Sequence, residues 1–448
     1  MGAPKPNGPI MPHNPRRPRY NPKNSVPQTT PQRAPSQSEE RRTPMLSVAD
    51  AQTAIRAALQ PVMAWELVPL PQALNRILAE PILAPFNVPA HDNAAMDGYA
   101  VRAADLAPDR PTTLTVIGSA FAGHPFTGAL TAGTAVRIMT GAEIPNGADT
   151  IVPQELCTAH DSATVTIPPG QKAGQHLRRA GEDLAAGSVA LPVGRRLGVA
   201  ELGLIGSLGI GSVRVYRRLR CVVLSTGDEI ATIGEPLAPG QIYDSNRHTL
   251  TAALTRLGCD VLDFGIVRDD PQQLRARFTD AAENADVVLT SGGVSVGEAD
   301  FIRQLMSELG AVHFWQLAIK PGRPLAFGRI KNAWLFGLPG NPVASLVAFA
   351  AFARDALRYL QGEDPVTPAE PIPVTLAHPI RKKPGRQEYL RGTLARENGT
   401  LVARVAGAQG SGILSSMTRA SGFIILPEEA GDLPEGATVA FLPFAVVF

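Results

Sequence analysis

The stretch Thr290-Ser291-Gly292-Gly293-Val294-Ser295-Val296-Gly297 places three glycines and two serines directly ahead of Glu298 and Asp300. Glycines let a backbone approach an anion closely, and the N–H groups at a helix start point outward. Each such contact is worth roughly 0.3–2 kcal/mol, so several must converge to hold a ligand. In Lys320-Pro321-Gly322-Arg323-Pro324, two residues add full positive charge. These residue types suit a phosphate-bearing ligand. The acids Asp228, Glu229, Asp269, Asp270 and Asp300 would repel a bare phosphate. A Mg2+ ion, held by one or two carboxylates and by phosphate oxygens, resolves that conflict.

The pattern over 218–360 accounts for how such residues could meet. Apolar runs at 220–225, 260–264, 286–289, 312–319, 325–327 and 334–336 read as strands. Helical segments alternate with them: one capped at Asp244, Ser245 or Asn246 and ending at Gly258, one after Pro271, one over 298–309, and one over 342–360. This predicts a doubly wound, mostly parallel α/β domain, whose ligands bind beyond the carboxyl ends of the strands. Thr226-Gly227-Asp228-Glu229, Arg268-Asp269-Asp270, the glycine loop, Lys320–Pro324 and Gly337-Leu338-Pro339-Gly340-Asn341-Pro342 all fall on that edge. Taken singly, each has a structural reading: a turn, a helix cap, a tight approach to a helix. GxGxxG is absent after the first strand and GxxxxGK[ST] is absent throughout, so neither a dinucleotide fingerprint nor a P-loop is present.

Outside this stretch the pattern changes. Apolar spacing predicts helices over 51–59 and 69–79. Short β-prone runs at 113–117, 135–139, 150–152 and 164–167 predict a small β-rich domain. It carries a second polar constellation: Asp92 to Val101 with Asp97, Arg137 to Ala142 with Thr140, and Arg178 to Asp183. No Ser/His/Asp triad or Cys/His pair can be built from these, which argues against covalent nucleophilic catalysis. Runs at 401–405, 422–426 and 438–442 predict a C-terminal β-barrel or sandwich.

Charge and composition narrow the function classes. The first 44 residues contain 11 prolines, eight Lys/Arg and two acids, and they are expected to be disordered. The remaining 34 basic and 38 acidic residues give a net charge of −4, which disfavours a nucleic-acid partner. Three scattered cysteines build neither a zinc site nor a disulfide scaffold. No apolar run reaches the ~18 residues of a membrane span and no secretory h-region is visible, so a cytoplasmic protein is expected.

Nine motifs together resemble the molybdopterin molybdenumtransferase family, to which the E domain of gephyrin belongs. They are DNAAMDGYAV, RIMTGAEIPNGADTIVPQE, RRAGED, STGDEI, GQIYDSNR, TSGGVSVGEADF, KPGRPLAFG, GLPGNPVAS and GRQEYLRG, in the family's order, and the match runs from about Leu46 to Phe448. The resemblance implies a multidomain α/β protomer. Its parts are a molybdopterin-binding α/β domain (45–64 and 217–367), a linking domain (65–91 and 184–216), an inserted β-rich domain (92–183) and a C-terminal β-barrel (368–448), after the 1–44 tail. It implies a homodimer whose cleft lies between the α/β domain of one subunit and the inserted domain of the other.

The implied reaction inserts molybdenum from molybdate into adenylylated molybdopterin and releases AMP, with Mg2+ as cofactor. Carried over onto this sequence, the functional positions are Asp97, Thr140, Asp183, Glu229, Asp269, Asp300 and Lys320. Glu229 and Asp300 would hold the metal. Thr226, Gly227, Ser291, Gly292, Gly293, Ser295, Gly297, Lys320, Arg323 and Asn341 would contact the substrate, Pro339 and Pro342 would shape the cleft floor, and Arg391 and Ser411 would border it. Other cofactor-synthesis proteins and recipient molybdoenzymes are conceivable partners; nucleic acid and membrane are not expected. His91 stands where many relatives have Phe, Gln316 replaces a common lysine, and Arg323 replaces another while keeping the charge. A tungsten-inserting paralogue and a non-catalytic pterin-binding scaffold are the alternatives. The intact acids disfavour the scaffold.

Overall fold

The computed structural model describes residues 1–2, 45–159, 163–293 and 299–448; the proposed tail and the second half of the glycine loop lie outside them. In chain order the first strands are β1 (Trp65–Pro69), β2 (Gly98–Val101), β3 (Thr112–Ala120), β4 (Thr134–Ile138), β5 (Thr150–Pro153), β6 (Thr164–Ile167) and β7 (Ser212–Tyr216). Then follow β8 (Arg220–Thr226), β9 (Asp260–Val267), β10 (Val287–Ser291), β11 (Gly310–Gln316), β12 (Pro324–Ile330) and β13 (Ala333–Leu338). The last are β14 (Ile372–Leu376), β15 (Gln387–Glu397), β16 (Thr400–Val405), β17 (Gly422–Leu426) and β18 (Thr438–Pro443). The helices used below are α1 (Val48–Ala58), α2 (Val199–Ser207), α3 (Ser245–Arg256), α4 (Pro271–Asn284), α5 (Ala299–Leu309), α6 (Pro342–Ala348) and α7 (Arg354–Leu360).

The doubly wound sheet is present, with strand order β9-β8-β10-β13-β12-β11. The first four strands are parallel, β12 runs antiparallel to them, and β11, antiparallel to β12, resumes their direction. The central strands β8 and β10 are buried along nearly their whole length, which is why their sequences read as unbroken apolar runs. One face packs α3, α6, α7 and the buried stripe of α1 (Val48, Ala51, Ile55). The other packs Leu274 and Phe278 of α4 and Leu305 and Met306 of α5. The chain leaves β8 in one direction to β9 and returns through β10 on the other side, so the order reverses at the carboxyl ends of β8 and β10. Such a reversal opens a crevice.

Two segments depart from expectation. No helix forms over 69–79: β1 runs into a single 3-10 turn, Leu70–Gln72, and the chain then returns to strand-like bridges, Ile77 with Arg196 and Leu78 with Val215. Asn75 adopts a left-handed conformation, φ 62°, which interrupts a right-handed helix. The expected strand over 312–319 is divided. β11 ends at Gln316, where Leu317 N–H turns back to Arg323 O (2.8 Å), and Ile319–Lys320 pairs instead with Gln387–Glu388 of β15.

The remaining layers form their own cores. Val68, Leu78 and Ile82 pack with Leu197, Ile205 and Val215, so two chain segments far apart in sequence share one cluster. The sheet β5-β2-β4-β3-β6, extended by Thr158–Ala159, carries the β-rich region. At the C-terminus β15-β16-β14-β18-β17 closes through β15–β17 pairing into a five-stranded barrel. Among the described residues no helix is long and apolar enough to cross a membrane.

A buried charge cluster ties the 184–216 segment to the end of α7. Glu363, 5% exposed, accepts from Arg196 Nη2 (2.7 Å) and Arg358 Nε (3.0 Å). Burial alone would raise its pKa; the hydrogen bonds from Arg358 and the field of Arg196 outweigh it, leaving the group below 4.5. A depressed carboxylate stabilises the fold above its unfolded pKa, and that stabilisation is lost as pH falls through the folded value. Glu363→Ala should therefore cost about 3–5 kcal/mol in denaturant unfolding at neutral pH, the loss typical of a broken buried ion pair. The difference from wild type should shrink at pH values below about 4. A difference independent of pH would contradict this reading.

Candidate active site

Beyond the carboxyl ends of β8, β10 and β13 lies a cleft of about 640 Å³. Three loops form its floor: Thr226 at the end of β8, Ser291-Gly292 after β10, and Pro339-Gly340-Asn341-Pro342 between β13 and α6. One buried amide fastens two of them. Asn246 Nδ2, near the start of α3, donates to Ser291 Oγ and to Gly340 O, both at 2.6 Å. Gly292 lies so close to β8 that a Cβ there would stand 2.6 Å from Thr226 O, and its φ is +94°. Only glycine meets both conditions.

Charge enters from neighbouring loops. Lys320 and Arg323 come from the turn that follows Ile319, and Arg386 from just before β15. Lys320 is matched by Glu388: Nζ to Oε2 is 3.0 Å, and the parallel pairing of Ile319–Lys320 with β15 aligns the two residues. Arg323 and Arg386 form no ion pair among the described residues, so they offer the cleft uncompensated charge. Gln316, which stands in for a lysine, pairs with Pro324 at the end of β11 and does not line the cleft.

Of the residues expected from the sequence, Thr226, Glu229, Ser291, Gly292, Lys320, Arg323, Pro339, Asn341, Pro342 and Ser411 line this one cleft. Gly227 and Gly293 are adjacent in the chain to lining residues. Asp269 sits on the loop after β9, its N–H donating to Asp228 Oδ1 at 3.2 Å. Ser295 and Gly297 lie outside the described residues, as does the side chain of Asp300, the second residue of α5. Among the described residues no three acid, His or Cys side chains gather into a metal cage. Glu229 with Asp228 nearby suits an ion that takes one or two carboxylates and completes its shell with phosphate oxygens.

Arg391 does not border the cleft. It is fully buried, donating through Nε to Ser416 Oγ (3.0 Å) and through Nη2 to Gly410 O (3.0 Å). It therefore shapes the loop that presents Gln409, Gly410 and Ser411 to the cleft. Sequence reasoning missed Ser245, Asn246, Arg386 and Gln409 as lining residues. The signal for Asn246 was available: a helix that starts just after β8 must begin on the same sheet edge.

Asp97, Thr140 and Asp183 are elsewhere. Asp97 follows Asn93–Ala94 and precedes β2, while Thr140 follows β4. The two meet: Thr140 N–H and Thr140 Oγ1 both donate to Asp97 Oδ1 at 2.7 Å. These bonds, the backbone one foremost, hold the Asp97 carboxyl below its ordinary value. Asp183 is exposed near Arg179, which pairs with Asp92 (2.5 Å). None of the three lines the cleft.

Family profiles match in three blocks: the MoeA N-terminal region (domain I and II) over 46–209, a probable molybdopterin-binding domain over 222–359, and the MoeA C-terminal region (domain IV) over 373–444. A protein named molybdopterin molybdenumtransferase from Haemophilus influenzae is 44% identical over 380 residues, 85% of this chain and 94% of that one. The chain belongs to the molybdopterin molybdenumtransferase family. A namesake from Nostoc sp. is 36% identical over 90% of this chain and 95% of its own. A solved molybdopterin biosynthesis MoeA protein from Pyrococcus horikoshii superposes with TM-score 0.77 at 28% identity, covering 89% of this chain and 100% of its own.

Thr140→Val should raise the Asp97 pKa toward 3.8 without returning it fully, because the backbone donor survives. Carboxyl-carbon NMR titration checks this, and an unchanged titration would show that the hydroxyl contributes nothing.

Proposed function

We propose that this chain inserts molybdenum from molybdate into adenylylated molybdopterin and releases AMP, as a Mg2+-dependent cytoplasmic homodimer. The observation that carries the reading is the convergence of a glycine-lined strand-end crevice, an acid and unmatched arginines in a single cleft. The cleft's lining divides the work. Gly292 lets the loop after β10 lie directly against the end of β8, which sets the floor on which a substrate would rest. Arg323 and Arg386 draw the anionic parts, molybdate and phosphate, into the cleft. Glu388 fixes the Lys320 ammonium in one position, so its N–H donors are pre-aimed. Mg2+, held by Glu229 and Asp300, would neutralise charge on the phosphoanhydride.

A second copy supplies what the cleft lacks. Asp97 and Thr140 form a rigid, ionised pair, a good orienting group, but in their own chain they do not line the cleft. Apolar side chains that a lone chain leaves in water support association. Trp65 (56% exposed) and Leu67 (64%) share one face of β1, and Leu83 and Val189 are exposed on paired segments.

Incubating the protein with adenylylated molybdopterin, molybdate and Mg2+ should release AMP, and omitting molybdate should abolish release. Substituting tungstate separates the two metals. Glu229→Gln should slow release roughly tenfold or more, a loss of about 1.4 kcal/mol or more in transition-state stabilisation, with little change in melting temperature. Equal loss of activity and stability would show that Glu229 is structural.

A further inference from the structure

Two features of the cleft are not anion chemistry. Among the described residues Tyr243 is the only aromatic side chain lining it. It is 43% exposed, yet its ring is not free: the hydroxyl donates to Glu235 O at 2.8 Å across the loop that follows β8. A fixed, uncovered aromatic face is a stacking platform. Three residues on, Asn246 is 7% exposed, and among the described residues its Oδ1 has no hydrogen-bond partner. The amide cannot be turned to relieve this, because its Nδ2 already serves the carbonyl of Gly340. Thr226 Oγ1, also buried, is unpartnered as well. A buried acceptor left without a donor costs more than the same bond gains when made, so Asn246 Oδ1, which can only accept, calls for a ligand donor, whereas the Thr226 hydroxyl can be served by either kind of group.

The oxygens of a phosphoanhydride carry no proton at neutral pH and cannot satisfy Asn246 Oδ1. The start of α3 also rejects anions, because Asp244 occupies it. Its Oδ1 accepts from Arg247 N–H (3.1 Å), and its carboxylate pairs with Arg247 Nε (2.9 Å). A flat nitrogen heterocycle with an exocyclic amino group meets both demands, offering a π face to Tyr243 and a donor to Asn246.

We infer that Tyr243 and Asn246 read the amino-bearing pterin ring of the substrate, leaving its anionic groups to Arg323 and Arg386. The inference rests on the pterin reading above and assigns the ring to one wall of the cleft.

The test is fluorescence titration of the full chain with free pterin (2-amino-4-oxopteridine) and with lumazine, in which a carbonyl oxygen replaces the amino group. Wild type should bind pterin and should bind lumazine about tenfold more weakly, as expected when a buried acceptor loses its donor. Tyr243→Ala should weaken pterin about 5- to 100-fold, the range for lost aromatic stacking, and Tyr243→Phe by no more than about threefold, because the ring face remains. An excess of inorganic phosphate should leave pterin affinity unchanged. Equal pterin affinity in Tyr243→Ala and wild type, equal binding of lumazine, displacement by phosphate, or no pterin binding by wild type would each overturn the assignment. If Tyr243→Ala binds pterin like wild type while wild type still releases AMP, only this assignment falls. If wild type releases no AMP, the reading beneath it falls.

Discussion

The cleft depends on a single amide. Asn246 reaches from the start of α3 to the loop after β10 and to the loop after β13, and its two bonds hold those loops at the distance set by Gly292 against Thr226. All three loops belong to one parallel sheet edge, so their backbone ends already point the same way. The amide converts that common direction into a fixed floor. A charged residue could not do this job in so buried a position without a partner, and a shorter hydroxyl could not reach both loops. The cationic wall is organised separately. It depends on Ile319–Lys320 leaving the α/β sheet to pair with β15 of the barrel, which delivers Lys320 to Glu388. The cleft is thus a junction between two domains, with its floor from one and part of its charge aligned by the other.

Much of this was legible from residue patterns. β8 and β10 read as buried strands because both faces are covered, and the cap left open among Asp244, Ser245 and Asn246 is supplied by Asp244, whose Oδ1 accepts from Arg247 N–H. What was not legible turned on tertiary pairing. Leu70, Ala73 and Ile77 have helical spacing, but Asn75 in a left-handed conformation and the bridges to Arg196 and Val215 draw them into a sheet-like linker. Val312 to Ile319 is one apolar run in sequence and two strands in space, because the end of the run finds a partner in another domain. Arg391 looked like a cleft residue by its motif. Its guanidinium is in fact used up inside the loop that carries Ser411, a distinction no spacing rule draws.

The two polar constellations differ in how finished they are. The Asp97–Thr140 pair is complete in itself: two donors fix one oxygen and hold the carboxylate ionised. The cleft is incomplete in itself, with unmatched arginines, buried acceptors without donors and a mouth lined by exposed Ile242 and Tyr243. A finished orienting group outside the cleft and a cleft left unfinished in its own chain are what the proposed composite site between two copies would combine.

Subunit complementation tests that central claim most directly. Inactive Asp97→Asn protein is mixed with inactive Glu229→Gln protein and the subunits are allowed to exchange. A mixed dimer of closed two-fold symmetry has one site with both lesions and one with neither. Random exchange makes about half the dimers mixed, so AMP release should recover to about a quarter of the wild-type rate. No recovery, with exchange verified by labelled subunits, would put Asp97 and Glu229 in the same subunit's site and contradict the account.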